Sequence, residues 1–398
     1  MLFANHKYLS LFNYFQDKQP FSDKDIILLD QELDAYEKKL LNPEIESNLI
    51  SRNELFASFA ISKAEDSNLT LDQAKNIYTL VKNNKQWNLI NKKLADHKEL
   101  TNSDYEKLEY YNIVKVFRKL NQKPFTLNEL NINLLKKIHS ELTIGMDIFD
   151  QYLMGFDLYY SGNLRKKDNI KVGDYQPSPA KDLEKNVKEL IFWLKNNFTI
   201  TNVGIFHNAL YALHPFSNGN KRLCRVLEHI LFRLLGINSR NIYSTSYYYY
   251  QFKSRYYNRL LASLLKKDLT LFSSFIMEAL AMSILGVYKT SIEVQRKQFI
   301  DDHILEDDKI LKIIKPLIKE KRISYSNLYK RVKRKMAEQT FNNIIKELLV
   351  KDILKREKEG KAVFYSLNLS LGEEQLYAKH LKYISSKISK IPVSYRLL

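Results

Sequence analysis

Three consecutive stretches between residues 181 and 235 carry apolar side chains at helical spacing, and this pattern constrains the fold more than any other feature. The stretches are Lys181–Asn196, Val203–Leu213 and Asn220–Leu235. Gly236 follows the third stretch, where a helix-ending glycine is expected. The middle of the chain is therefore predicted to be helical.

The rest of the chain supports a mainly helical protein. Only 10 glycines and 8 prolines occur among 398 residues, which disfavours an all-β sandwich. Further helices are predicted after Thr70 and after Ser103, each of which is a plausible N-cap. Residues 160–180 interrupt the helical pattern with two glycines, two prolines and a short β-like stretch at Ile170–Val172. This segment is predicted to be an exposed loop or hairpin.

A different module begins near residue 305. Three amphipathic helical stretches precede two short strands around Glu359–Gly360, which is the element order of a winged helix-turn-helix. Residues 309–361 contain seventeen Lys and Arg against six Asp and Glu, a net +11 out of +18 for the whole chain. A last amphipathic helix is predicted around Glu373–Ser389. The positive charge is thus concentrated in this module.

Cysteine usage and hydropathy limit the classes of protein. The lone Cys224 excludes an internal disulfide framework and favours a reducing, cytoplasmic compartment. No apolar run reaches the ~18 residues of a membrane span, and the N-terminus does not read as a signal peptide. We therefore expect no membrane partner.

The loop between the second and third of the central helices reads LHPFSNGNKRLCR, from Leu213 to Arg225. Pro215 ends one helix, and Gly219 lets the backbone approach a phosphate closely. The start of the next helix exposes unpaired N–H groups, which favour anions. Arginine suits phosphate oxygens, and a histidine such as His214 can act as a general base near neutral pH. The loop therefore predicts phosphoryl-group chemistry.

This loop resembles the signature of the Fic/Doc family, H-x-F-x-[D/E]-[A/G]-N-[G/K]-R, extended by a second arginine three residues later. The segment SGNLRKKDNIKVGDYQPSP is similar to the family's Gly-x-x-Arg segment and target-docking flap, and SRYYNRLL resembles its adenine-lining helix. The resemblance covers roughly residues 50–285. The matching residues of the loop are His214, Phe216, Gly219, Asn220, Lys221, Arg222 and Arg225.

The resemblance implies a mainly α fold, with a Fic-type helical core and a β-hairpin flap, plus the C-terminal winged helix-turn-helix (α+β). It divides the chain into an N-terminal regulatory region (1–104), a Fic core (105–290), the winged helix (300–370) and a C-terminal helix (371–398). The usual activity is transfer of AMP from ATP to a Tyr, Thr or Ser hydroxyl of a target protein. In that reaction His214 would deprotonate the hydroxyl, and Phe216 would anchor the loop.

The resemblance also implies which residues bind the nucleotide. Arg222 would contact the β side of the triphosphate, and Arg225 would contact the γ-phosphate. The flap would be formed by Ile170–Gly173, and Tyr256 would contact adenine. The remaining nucleotide-binding positions are Val172, Gly173, Asn218, Gly219, Asn220 and Lys221.

Two residues of the loop depart from the family pattern. Asn218 stands where Asp or Glu normally binds Mg²⁺, and a neutral amide is a poorer ligand for that ion. Mg²⁺ would then be held mainly by the phosphates. Lys221 stands where AMP-transferring members usually have glycine, whereas the phosphotransferase Doc has lysine. Phosphorylation of a target protein therefore stays open as an alternative.

An upstream stretch, ELFASFAISKAEDSNLTLDQ, is similar to the family's inhibitory helix, (S/T)-x-x-x-E-(G/N). In this alignment Glu65 would pair with Arg225 and block productive γ-phosphate binding. Ile61 replaces the expected Ser or Thr, and Asp66 replaces Gly or Asn. An ordinary surface glutamate is the alternative interpretation.

The basic C-terminal module has two interpretations. Winged helices place their third helix in the major groove of DNA, and the net +11 suits phosphate contacts. Other winged helices dock proteins or form homodimers, so these partners stay open. A DNA-binding regulator with a catalytically weak, nucleotide-sensing core is a third function class. The candidate DNA-contacting residues are Gln339, Thr340, Asn342, Asn343 and Lys346.

Overall fold

A computed structural model describes residues 3, 5–40, 43–151, 161–304 and 307–388. The protein is mainly helical, as the sequence predicts, with one small sheet near the C-terminal end of the described residues. The chain divides into two compact units, essentially residues 1–284 and 285–386.

Among the described residues, the first unit contains the central helices and six short 3₁₀ turns, and its last helix continues past residue 284 into the second unit. The turns are Leu9–Leu11, Gln16–Lys18, Lys63–Glu65, Leu127–Glu129, Met146–Gln151 and Ala180–Asp182. The helices are α1 (Asp23–Leu40), α2 (Pro43–Ser62), α3 (Leu71–Lys82), α4 (Leu89–Ala95), α5 (Asn102–Gln122), α6 (Ile132–Thr143), α7 (Leu183–Asn196), α8 (Ile200–Leu213), α9 (Asn220–Leu234), α10 (Thr245–Gln251), α11 (Lys253–Leu265) and α12 (Thr270–His303).

Two helix starts test the predicted caps. Thr70 caps α3 in a capping box with Gln73, which confirms the prediction for that helix. The prediction of Ser103 as the cap of α5 is wrong. The Thr101 hydroxyl accepts from the Asp104 N–H, and the Asp104 carboxylate accepts from the Thr101 N–H, which forms a second capping box. The box satisfies two helix-terminal donors, which Ser103 alone would not do.

Helices α8 and α9 form the centre of the first unit. Every residue of α8 from Val203 to Leu213 is buried, and α9 is buried from Arg222 through Phe232. Gly236 adopts a φ of +82° after the end of α9, as the sequence predicts for a helix-ending glycine. The polar loop between α8 and α9 is therefore anchored at both ends to helices that cannot move independently of the core.

The predicted hairpin flap at Ile170–Gly173 is reduced to one pair of bridging residues. Val172 and Tyr175 exchange both backbone hydrogen bonds, at 2.9 and 3.1 Å, around a tight turn at Gly173, where φ is +58°. No strand extends beyond this pair among the described residues of the segment. Pro177 and Pro179 lack the N–H groups that would continue a ladder.

The second unit contains the three-stranded sheet. Strand β3 (Ala362–Leu367) pairs with both β1 (Ile323–Ser324) and β2 (Leu354–Glu359) in antiparallel register, with Ile323 opposite Tyr365 and Leu354 opposite Leu367. The short strand β1 is an addition to the predicted helices and hairpin. The elements are α13 (Asp308–Ile314), α14 (Pro316–Lys319), β1 (Ile323–Ser324), α15 (Tyr325–Val332), α16 (Glu338–Val350), β2 (Leu354–Glu359), β3 (Ala362–Leu367) and α17 (Gly372–Lys387).

Helix α12 is long and apolar enough to cross a membrane by length and composition. This finding differs from the prediction of no such segment, which rests on the absence of an uninterrupted apolar run in the sequence. Of the qualifying 18-residue window, 89% is buried inside the protein, which is typical of a core helix.

Candidate active site

His214 ends α8 in an unusual backbone conformation. Its φ of +49° places it in the left-handed region, which a non-glycine residue adopts at a cost of about 1–2 kcal/mol. Arg165 offsets this cost, because its Nε donates to the His214 carbonyl at 2.8 Å and its backbone N–H donates to the Pro215 carbonyl at 2.9 Å. The same guanidinium donates to the Ser178 carbonyl at the base of the flap. Arg165 thus ties the loop and the flap together.

The side chain of Asn220 stabilises the loop through two hydrogen bonds to its backbone. Its Oδ1 accepts from the Phe216 N–H at 3.1 Å, and its Nδ2 donates to the Phe216 carbonyl at 2.7 Å. Phe216 itself is 1% exposed, as expected for an anchor. Gly219 precedes α9 with a φ of +75°, and an added Cβ there would lie 3.2 Å from His139 Nε2. Glycine is therefore required both by conformation and by space.

His139 on α6 packs against the loop and forms a hydrogen bond with its backbone. Its ring stacks on Phe216 with centroids 3.8 Å apart, and its Nε2–H donates to the Asn218 carbonyl at 2.9 Å. Its Nδ1 accepts from the Gly162 N–H at 3.0 Å, which fixes the neutral tautomer. The pKa of His139 is lowered to about 4, mainly by burial; the hydrogen bond to Asn218 opposes this shift, and the Arg222 charge adds to it.

Asn218 does not provide a metal ligand in this arrangement. Its Oδ1 accepts from the Gly219 N–H at 2.7 Å and lies 3.4 Å from an Arg222 nitrogen. The described residues contain no cluster of three or more His, Cys, Asp or Glu that could hold a metal ion. The residues of the loop therefore do not fit a protein-held Mg²⁺.

Arg222 forms a buried ion pair. Its Nη1 lies 2.8 Å from Glu109 Oε1 on α5, and the side chains are 0% and 1% exposed. The pair joins α5 to α9, while the other terminal nitrogen, Nη2, lies 3.4 Å from Asn218 Oδ1 of the loop. The contact with the β side of a triphosphate, which the family resemblance implies for Arg222, stays a prediction.

Arg225 has different surroundings. Its Nη1 donates to the Ala60 carbonyl of α2 at 3.0 Å, and its guanidinium lies over the rings of Tyr256 and Tyr249 at 4.4 and 5.4 Å. Burial disfavours its charge, yet Tyr256, Tyr257 and Tyr249 raise the pKa of Arg225 above its ordinary value. The guanidinium therefore stays charged although it is only 1% exposed.

The two adjacent tyrosines of α11 differ in burial. Tyr256, the predicted adenine contact, is fully buried beneath Arg225, whereas the ring of Tyr257 is only partly buried. Lys221 Nζ lies 4.8 Å from the Tyr257 ring centroid, and Lys253 Nζ lies 5.8 Å from it. Tyr257, rather than Tyr256, thus presents an aromatic surface beside the loop.

The segment after α2 contacts the same region. Tyr257 donates its hydroxyl to the Ala64 carbonyl, and Lys253 donates to the Lys63 carbonyl at 3.0 Å and to Asp66. Asp66 adopts a φ of +60°, the conformation that Gly or Asn favours at the corresponding family position. The side chain of Glu65 lies outside the described part of the structure, so its predicted pairing with Arg225 stays a prediction.

The structure therefore brings His214, Gly219, Asn220, Lys221 and Arg225 to one loop and its adjoining helix turn. Arg222 pairs with Glu109 in the core through one nitrogen and lies near Asn218 of the loop with another. The flap residues Val172 and Gly173 form the tight turn, and Gly173 approaches Leu261 of α11. Sequence reasoning missed the contributions of His139, Glu109, Tyr257 and Lys253. Tyr256 could have been recognised as a core residue, because Leu260 and Leu264 follow it at helical spacing.

Comparisons with known proteins agree with the family resemblance of the loop. Residues 129–232 match the Fic/DOC family. The protein adenylyltransferase fic-1 of Caenorhabditis elegans is 29% identical over 112 residues, which are 26% of this chain and 22% of that protein. A probable protein adenylyltransferase of Aquifex aeolicus (strain VF5) is 27% identical over 141 residues, which are 34% of this chain and 41% of that protein. The chain thus spans well under half the length of these curated relatives.

Solved structures of similar proteins include a Fic family protein from Desulfovibrio desulfuricans G20, at 18% identity and a TM-score of 0.47, covering 89% of this chain and 99% of that one. Fic-1 from Caenorhabditis elegans is similar at 19% identity and a TM-score of 0.48, covering 68% of this chain and 72% of that one.

Proposed function

Since residues 129–232 of the chain are a Fic/DOC family domain, we propose that the protein is a Fic-type transferase that moves AMP from ATP to a hydroxyl side chain of a target protein. The observation that carries this proposal is the loop: Arg165 holds His214 at the end of α8, and the loop that follows leads into the N-terminus of α9. A base and an anion-binding helix start thereby lie at the two ends of one short loop.

The proposed chemistry needs three contributions from the chain. His214 accepts the proton of the target hydroxyl, and the hydroxyl oxygen forms a bond to the α-phosphorus of ATP. The bond from that phosphorus to the β-bridging oxygen breaks, and pyrophosphate leaves. The first N–H groups of α9 stabilise the phosphate charge, and Arg225 orients the γ-phosphate. The partly buried ring of Tyr257 is proposed to contact the base, in place of Tyr256.

Mg²⁺ takes no step in this scheme, because Asn218 Oδ1 is engaged with the loop backbone. Phosphoryl transfer is the alternative that Lys221 supports. In that reaction the hydroxyl oxygen attacks the γ-phosphorus and ADP leaves.

We further propose that the segment after α2 inhibits the enzyme. The Ala60 carbonyl already accepts a hydrogen bond from Arg225, so a phosphate oxygen must compete with it. Glu65, one helical turn further on, would add a carboxylate to this competition. The variant Glu65→Gly should raise self-modification about tenfold, since one charge-assisted contact to Arg225 is removed. Unchanged labelling with α-labelled ATP would contradict the inhibitory role.

Labelled ATP distinguishes the candidate reactions. The full chain is incubated with ATP labelled at the α- or the γ-phosphate, beside His214→Ala as the inactive control. Protein label from the α-position alone supports AMP transfer, and label from the γ-position alone supports phosphorylation. Label from neither position, with nucleotide binding intact, supports the nucleotide-sensing regulator instead.

A second function is proposed for the C-terminal unit: DNA binding as a winged helix-turn-helix. Within α16, Gln339, Thr340, Asn343 and Lys346 are exposed, and the turn before it exposes the three cations at 333–335. An exposed polar helix start beside a basic turn suits groove and phosphate contacts.

Fluorescence anisotropy with a labelled duplex tests this proposal. Binding should weaken steeply between low and high salt, because counterions are released from the DNA. Charge reversal at Lys333, Arg334 and Lys335 should abolish binding, whereas reversal at Lys379 and Lys382 of α17 should preserve it. No anisotropy change at either salt concentration would reject DNA binding in favour of a protein partner or a homodimer.

A further inference from the structure

A buried polar cluster lies beneath Arg225, and the proposed reaction does not use it. Its centre is Glu228, one turn further along α9, whose side chain has 0% exposed surface. Glu228 Oε1 accepts from the Thr245 hydroxyl at 2.5 Å and from the Tyr249 hydroxyl at 2.8 Å. Glu228 Oε2 accepts from His207 Nδ1 at 2.5 Å. We call these four residues the Glu228 cluster.

The Glu228 cluster holds the rings of Tyr249 and Tyr256, over which the Arg225 guanidinium lies. We call these two rings the aromatic floor. Tyr249 is bound to Glu228 by its hydroxyl and faces the Arg225 guanidinium with its ring, at 5.4 Å. The ring of Tyr256 lies 4.9 Å from that of Tyr249 and 4.4 Å from the guanidinium, and its hydroxyl lies 3.5 Å from His207 Nε2. Both rings beneath Arg225 are thus tied to the cluster at their outer ends.

The cluster is suited to holding a fixed geometry. A buried carboxylate is tolerated only where its oxygens are satisfied, and three donors converge on Glu228. Burial and the neighbouring Glu228 raise the pKa of Tyr249 well above its ordinary value, so its hydroxyl remains a donor. Arg225 donates to the Ala60 carbonyl, which a phosphate would displace, and it also forms a side-chain hydrogen bond with Tyr256. The aromatic floor is then what fixes the direction of the guanidinium.

We infer that the Glu228 cluster is a positioning network that aims Arg225 at the terminal phosphate, and so makes the site select nucleoside triphosphates over diphosphates. This inference rests on the proposed function, which assigns the γ-phosphate to Arg225. Cation–π contact with two fixed rings keeps the guanidinium charged and oriented, and its N–H groups can then donate to a phosphate that replaces the Ala60 carbonyl. If the rings of the aromatic floor are less firmly held, the contact between Arg225 and the γ-phosphate should weaken. The contacts of the protein with the rest of the nucleotide should not change.

The chain offers a matched pair of variants for the test. Tyr248 and Tyr249 are adjacent on α10, and both are 0% exposed. The Tyr249 hydroxyl binds Glu228, whereas the Tyr248 hydroxyl binds Glu278. Tyr249→Phe and Tyr248→Phe each remove one buried hydroxyl, and only the first touches the Glu228 cluster.

Calorimetry on the full chain measures the affinities for ATP and for ADP. All proteins carry His214→Ala, which prevents turnover, and Glu65→Gly, which frees Arg225. Tyr249→Phe should lower the preference for ATP over ADP about tenfold, the order expected when one hydrogen bond that fixes a buried group is lost. Its ADP affinity and the ATP preference of Tyr248→Phe should match the parent.

An ATP preference that Tyr249→Phe retains in full would overturn the inference and leave the proposed function standing. Equal affinity of the parent for ATP and ADP would overturn both the inference and the γ-phosphate assignment. If Tyr249→Phe does not fold, as judged by thermal melting, Thr245→Val removes another donor from the same carboxylate oxygen. The same loss of preference is expected, and an unchanged preference again overturns the inference.

Discussion

Arg222 and Arg225 are three residues apart on α9, and both are almost completely buried, yet their surroundings differ in kind. Arg222 faces the Glu109 carboxylate at 2.8 Å within the core. Arg225 donates to a backbone carbonyl of α2 at 3.0 Å and lies on two aromatic rings. The charge of one guanidinium is balanced by a buried carboxylate, whereas the other guanidinium faces a backbone carbonyl and two aromatic rings.

We propose that the two arginines of this motif divide structure from ligand binding. A phosphate that replaced Glu109 at Arg222 Nη1 would break a buried ion pair, which costs several kcal/mol. At Arg225 it replaces only a neutral carbonyl. We therefore expect Arg222 to contribute mainly to the stability of the fold, and Arg225 to contribute mainly to nucleotide binding.

The largest expected effect belongs to His214, which lies before both arginines. His214→Ala should reduce label transfer from ATP about a thousandfold, because general-base catalysis contributes on that order. The ATP affinity measured by calorimetry should change less than about twofold, since the phosphates are bound elsewhere. A variant that loses binding and transfer together would make His214 part of the phosphate site and weaken the division between the arginines.

The Arg222 side is tested by protein stability. Arg222→Ala leaves Glu109 buried without its partner and should lower the free energy of unfolding by about 3–5 kcal/mol, measured by urea denaturation. Lys188→Ala removes the exposed i,i+4 pair with Glu184 and serves as the control, with no measurable change expected. An Arg222→Ala protein of unchanged stability would contradict the structural role.

The Arg225 side is tested by nucleotide preference. Arg225→Lys, in the Glu65→Gly background, should weaken ATP binding about tenfold, because a lysine cannot reproduce the two-pronged contact of a guanidinium. ADP binding and unfolding should change little. The comparison between the arginines fails if Arg225→Lys weakens both nucleotides equally.

The smallest effect is expected at the contact that holds the inhibitory segment. Lys253→Ala removes the hydrogen bonds to the Lys63 carbonyl and to Asp66, so the segment should leave Arg225 more readily. Self-modification should rise about threefold, in keeping with the modest strength of a partly exposed pair. Lys266→Ala, at the other end of α11, is the control. Equal rates for both variants would separate Lys253 from the regulation of Arg225.

The sequence predicted helix positions well where periodicity and capping agree. Thr70 and Gly236 are confirmed at the ends of α3 and α9, because each satisfies a local backbone requirement. Ser103 failed as a cap because Thr101 and Asp104 form a reciprocal box two residues earlier. Local rules thus identify the type of element, and competition between neighbouring polar residues decides its boundary.

The candidate site was less predictable, because burial is a property of the tertiary fold. The loop sequence contains both arginines, but the partner of Arg222 is on α5, more than a hundred residues earlier. His139 is similarly distant in sequence and gives no local signal of its contact with Phe216. In contrast, the burial of Tyr256 follows from its spacing to Leu260 and Leu264.

The most direct test of the account is the intact mass of the Glu65→Gly chain after incubation with ATP, compared with the same chain carrying His214→Ala. The account predicts a mass increase of one or more adenylyl groups, and none in the His214→Ala protein. An increase by phosphoryl groups, or no change in a protein that binds ATP, would contradict the assignment of AMP transfer to this loop.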